Sequence, residues 1–127
     1  MTLTIRNVTF MSADPARLAD FWMAATGFQE RRQHGDEVLV APAGWRFPRL
    51  TFQRVERSRP TPGAQHLDLT ADDMDAEVVR LEGLGARRLW RIHGSERGGP
   101  TWTAMADPDG NEFCVVQRPA GERQLAP

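Results

Sequence analysis

The sequence predicts an α+β fold made of two tandem βαβββ modules, and three observations carry that reading. Residues 7–14 and residues 66–73 read as one strand followed by an acidic helix start, seven steps long in both copies. Each copy continues into an amphipathic stretch that closes on glycine, thirteen steps from Asp14 to Gly27 and twelve from Asp73 to Gly85. Each glycine is followed by three short stretches of strand character separated by turn residues. The copies differ most at the starts of their first and last strands. There the second module carries His66 and Glu112, where the first has Asn7 and an arginine. That asymmetry is the main clue to function.

Residues 3–11 alternate, with Ile5, Val8 and Phe10 among polar neighbours, as a half-buried strand does. Asp14 is placed to cap a helix and Pro15 to open it, where a missing N–H costs nothing. Leu18, Phe21, Trp22 and Ala25 recur at helical spacing, and Gly27 ends the helix because it tolerates positive φ. Residues 28–33 and 37–41 flank a hairpin turn at 34–36, and residues 49–55 form a further strand after the loop 42–44. Residues 56–64 are charged and rich in proline and glycine. They read as a linker inside one domain, because a half of about 60 residues would expose a sheet face if alone.

The second copy repeats the plan. Residues 66–70 form its first strand, and Asp72, Asp73, Asp75 and Glu77 set acid at the positive end of the helix dipole. Met74, Val78, Leu81 and Leu84 supply the buried stripe, and Gly85 ends the helix. Strands follow at 87–92, 101–106 and 112–117, separated by the glycine-rich loop 93–100 and the turn 107–111. In that turn proline presets φ and Gly110 accepts the left-handed region, so the segment fixes the register of the last strand. One domain over 1–127 results: module one at about 3–55, module two at about 65–118, and a polar tail from 119.

Composition narrows the function classes. A formal net charge of −1 gives no field for steering onto nucleic acid or anionic lipid, and no apolar run approaches the ~18–20 residues that cross a bilayer. The single cysteine, Cys114, excludes an intramolecular disulfide, and the N-terminal residues lack an apolar signal segment, so a cytoplasmic setting is expected. The pairs Arg31–Arg32 and Arg87–Arg88 read as solvated strand faces, the alternative being an anion-binding pair. No phosphate loop, nucleophile elbow or dinucleotide fingerprint is present.

Period-2 geometry puts His66 and Asp68 on one strand face and Leu67 and Leu69 on the other, which belongs against the helix. Glu112, Cys114 and Val116 likewise share a face. If these two strands are neighbours, an imidazole and a carboxylate meet on the open side of a sheet. They make either half of a mixed-ligand site for zinc, nickel, manganese or iron, or an ordinary polar pair. Module one offers Asn7, Thr51 and Gln53 at the matching strands, with Arg49 opposite Glu112 in the repeat and suited to an anionic ligand. Trp45, Trp90 and Trp102 lie off the helices and are either packing residues or walls of an apolar ligand site. Cys114 lacks an evident cation or helix N-terminus to lower its pKa.

The helix string at 14–28, the strand opening at His66, the helix end at 81–86 and the turn at 107–113 together resemble the vicinal oxygen chelate superfamily, closest to its small bacterial glyoxalase-like domains. The likeness spans about residues 7–117. It implies two modules forming a cup-shaped, incompletely closed mixed sheet with helices outside, either holding a divalent metal or, as in bleomycin-resistance proteins, working without one. Carried over, His66 and Glu112 match metal ligands, with Glu112 also catalytic. Asn7 stands where many members have a histidine or glutamine. Arg49, Thr51 and Gln53 stand where a further glutamate occurs in glyoxalase I. The expected protein is a metal-dependent lyase or isomerase acting on a small organic molecule, with Gln53 or Asp68 positioning substrate or water and Asn7, Thr51, Trp102 and Cys114 near the ligand. The alternative is a metal-free small-molecule binder. Either is expected to be a homodimer, since a half-open sheet leaves edges to cover.

Overall fold

The structure, a computed structural model, describes residues 5–56, 66–94 and 100–121. Much of the expected linker, the centre of the loop 93–100, the end of the tail and the first residues of the expected first strand lie outside these. The chain divides into two compact units, Met1–Pro60 and Thr61–Pro127, and each repeats one plan.

In the first unit β1 (Asn7–Ser12) leads into α1 (Pro15–Thr26), followed by β2 (Glu30–His34), β3 (Glu37–Ala41) and β4 (Arg49–Arg54). In the second, β5 (Leu67–Ala71) leads into α2 (Met74–Gly83), then β6 (Arg87–Ile92), β7 (Trp102–Ala106) and β8 (Glu112–Gln117). The sheet orders are β1-β4-β3-β2 and β5-β8-β7-β6. In both, the first strand lies parallel to the last and the remaining pairs are antiparallel. These are two four-stranded mixed sheets, neither closed into a barrel. The duplication read from the sequence is therefore a duplication of topology.

The caps explain where the helices begin. Asp14 accepts the Arg17 N–H and Asp73 accepts the Ala76 N–H, each satisfying a donor that the first helical turn leaves over. Pro15 follows its cap directly, and Gly27 closes α1 at φ 77° with its N–H on the Met23 carbonyl. On α1, Leu18, Ala19 and Trp22 are fully buried, and Trp22 lies 5.5 Å from Phe10 and edge-on to Phe21. Val38, Val40, Leu50 and Phe52 complete that core. Met74, Val78 and Leu81 of α2 are buried, as are Met105, Phe113 and Val115 of its sheet.

Three expectations of burial change. Ile5 is 69 % exposed, because β1 begins only at Asn7 and Ile5 precedes it. Leu84 is 38 % exposed, because α2 ends at Gly83 and Leu84 is its C-cap, beyond the buried stripe. Ala25 is only half-buried, one turn beyond the fully enclosed Trp22.

Two polar residues fasten the second module. Asp107, 4 % exposed, accepts the backbone N–H groups of Asp109 and Asn111 and the Asn111 side-chain amide. Gln117, at the end of β8, accepts the Met74 N–H and donates to the Asp72 carbonyl, so the last strand holds the start of α2.

Candidate functional site

The pairing of β5 with β8 sets Asp68 opposite Cys114, and His66 lies two residues before Asp68 on the same face. Nε2 of His66 stands 3.3 Å from Oδ1 of Asp68, the side chains being 44 % and 65 % exposed. The Cys114 thiol is buried beneath them. One donor atom from each of the three residues lies within 4.8 Å of the others. The neighbouring strands expected from the sequence are present, but the group that converges is His66, Asp68 and Cys114. Glu112 stands outside that trio, half-buried at the start of β8, where its charge still acts on the thiol.

Electrostatics follow from this enclosure. Burial raises the Cys114 pKa from its ordinary 9.0 to about 11, assisted by the charge of Asp68, a hydrogen bond to it, and the charge of Glu112. Without a cation the thiol keeps its proton and is a poor nucleophile. A divalent ion would invert that balance, since coordination deprotonates a thiol outright.

The donor set suits such an ion. Metal–nitrogen and metal–oxygen bonds of roughly 2.0–2.1 Å at a tetrahedral angle hold the two donors about 3.3–3.4 Å apart. The His66–Asp68 separation of 3.3 Å already matches. Imidazole, carboxylate and thiolate together favour a borderline metal such as zinc over magnesium or calcium.

Module one shows what the same positions look like without ionisable groups. Thr9 pairs with Thr51 across β1 and β4, as Asp68 pairs with Cys114 across β5 and β8. Thr51 donates its hydroxyl to Oδ1 of Asn7 at 2.7 Å, and Asn7 donates its amide to Thr9 at 2.9 Å. The neutral trio Asn7, Thr9 and Thr51 thus bonds to itself where the second module sets histidine, aspartate and cysteine. Gln53 donates to Glu37 at 3.1 Å. Trp102 is half-buried at the start of β7, paired with Ile92 and Val116. His93 is exposed at the edge of the glycine-rich loop.

Strand periodicity alone sets Asp68 beside His66 and Cys114 beside Glu112 without joining the two pairs into one trio. The signal was available, because strands whose first residues are His66 and Glu112, if parallel and in step, bring Asp68 level with Cys114.

The Glyoxalase-like domain model matches residues 7–116. Among solved structures, a glyoxalase/bleomycin resistance protein/dioxygenase family enzyme from Burkholderia phytofirmans PsJN aligns with TM-score 0.70 at 14 % identity, over 91 % of this chain and 98 % of its own. The fosfomycin resistance protein FosX from Mesorhizobium loti gives 0.70 at 14 %, over 94 % and 96 %. The oxidase ChaP-H2 gives 0.69 at 20 %, over 95 % and 98 %. No curated protein matches the chain. At these identities the structures share the fold, and the differing descriptions of FosX and ChaP-H2 leave the reaction open. With the matched family model, the paired βαβββ topology establishes that the chain belongs to the glyoxalase-like domain family of the vicinal oxygen chelate superfamily.

Proposed function

We propose that this protein is a metal-dependent enzyme of lyase or isomerase type acting on a small organic molecule at the open face of β5 and β8. The observation that carries the reading is the convergence of His66, Asp68 and Cys114, whose donor atoms lie within 4.8 Å of one another, with His66 and Asp68 at 3.3 Å. His66 is the anchor that this geometry shares with the sequence pattern. Asp68 adds an oxygen donor beside the imidazole, and Cys114 contributes a sulfur. A divalent ion there supplies Lewis acidity toward adjacent substrate oxygens. Glu112, next along the strand face from Cys114, acts as the carboxylate that takes and returns a substrate proton. The exposed side of His66 and Asp68 leaves room for the ligand. The protein works in the cytoplasm as a homodimer.

Calorimetric titration of metal-stripped protein with zinc, nickel, manganese and ferrous iron tests this. Zinc is expected to bind tightest. His66→Ala and Cys114→Ser each weaken it by at least about tenfold, a lost ligand being worth more than 1.4 kcal/mol, while Glu112→Ala leaves it bound. Absence of binding by all four metals would discard the metal site.

A second reading has its own support. Both ends of the Asn7 amide are engaged by Thr9 and Thr51, so module one offers no free ligand at the position matching His66. On that reading the protein sequesters a small molecule without metal, with Asn7, Thr51, Gln53 and Trp102 among the contacts. Stoichiometric ligand binding by metal-stripped protein, without turnover, distinguishes it.

A further inference from the structure

Arginines and aromatic rings gather around the turn Ala43–Trp45 and the strand that follows it. The Arg32 guanidinium lies 4.5 Å from the Trp45 ring centroid, and Arg49 lies 5.7 Å from the same ring and 5.0 Å from Phe47. Arg6 covers Phe47 at 4.9 Å. Backbone bonding holds the group together: the Arg49 N–H donates to the Arg6 carbonyl, and the Arg49 side chain makes two bonds to the Trp45 carbonyl at 2.9 and 2.6 Å. Trp45 itself has φ 58°, a left-handed conformation rare for a bulky residue and a mark of functional segments.

Charge balance is what makes this group unusual. Among the described residues none of the three guanidinium groups pairs with a carboxylate, whereas neighbouring Arg31 pairs with Asp20 at 3.4 Å. Glu30, close in the fold, is committed to the Gly44 N–H at 2.8 Å. Arg6 and Arg49 share one ring and Arg32 and Arg49 another. Three cations are thus kept together with no carboxylate paired to them among the described residues. Stacking restricts each planar fork, and the Nε and Nη2 groups of Arg49 are further held by the Trp45 carbonyl, so little rotamer freedom remains to be lost when an anion docks.

The geometry points to an oxyanion site on module one, formed by Arg6, Arg32 and Arg49 on Trp45 and Phe47, for a small molecule bearing a carboxylate or phosphate. It stands independently of any metal at His66.

The test is calorimetric titration of metal-stripped protein, dialysed free of chelator, with inorganic phosphate and with benzoate at low ionic strength. One anion is expected to bind with unit stoichiometry, and the tighter one identifies the group recognised. Arg6→Gln and Arg32→Gln, both on exposed side chains, each weaken binding by at least about tenfold, as loss of a charge-assisted contact should. Arg87→Gln, an exposed arginine on β6, leaves it unchanged. The proposal is overturned if neither anion binds wild type, or if Arg87→Gln weakens binding as much as the other two. A melting temperature within a few degrees of wild type shows that each variant is folded.

Discussion

At Cys114 a strand pairing decides the chemistry of one side chain. The thiol is level with Asp68 in the register and buried beneath it, so two carboxylates and desolvation all oppose the thiolate. In the unfolded chain the thiol ionises near 9, whereas in the folded protein it ionises near 11. The native state therefore binds the extra proton between those values, and stability present below pH 9 is lost as pH rises toward 11. A shift of that size corresponds to about 2–3 kcal/mol. Denaturant unfolding of metal-free protein across this range is expected to show the loss in wild type and a flatter profile in Cys114→Ala; identical slopes would contradict it. The same raised pKa makes a second outcome measurable. If sulfur ligates, zinc binding at pH 8 releases about one proton from Cys114, seen as a dependence of binding enthalpy on buffer that disappears in Cys114→Ser. Sequence showed which residues share a face here, through period 2, but the burial that sets the thiol apart needed the packed sheet.

Helices and turns were the most legible elements, because their signals are local. Asp14, Pro15 and Gly27 bracket α1 with residues whose backbone preferences act without tertiary help, and the observed helix runs from Pro15 to Thr26. Leu84 shows the limit: helical spacing extended the apolar stripe one step too far, because the chain leaves the helix at Gly83. Trp22 is wholly enclosed between Phe10, Phe21 and the sheet, and Trp22→Ala is expected to cost about 3–5 kcal/mol in chemical denaturation. An unchanged midpoint would mean that α1 packs by another face. Asp107 tests the turn before β8. Its carboxylate collects bonds from Asp109 and Asn111, so Asp107→Ala is expected to cost about 2–3 kcal/mol. A loss under about 0.5 kcal/mol would show that proline and glycine alone hold the turn.

Across the whole molecule the two sheets repeat one order, and each leaves its outer strands with a single hydrogen-bonded neighbour within the module: β1 and β2 in one, β5 and β6 in the other. Edges of this kind must be covered. A homodimer is the expected cover, and light scattering at micromolar concentration should return twice the chain mass of 14.3 kDa; a monomer would point to cover from within the chain. No helix among the described residues is long and apolar enough to cross a membrane. The duplicated βαβββ order, the helix caps and the superfamily were all determined by sequence, since each rests on short-range spacing or on motifs spread over nearly the whole chain. Tertiary structure alone decided which side chains meet. Parallel pairing of first and last strands brings His66, Asp68 and Cys114 together from positions 48 residues apart in the chain, and closes Asn7, Thr9 and Thr51 into a neutral network. The fold of module one likewise gathers Arg6, Arg32 and Arg49 around two rings. Convergence of this sort depends on register between strands distant in sequence, which no local preference encodes.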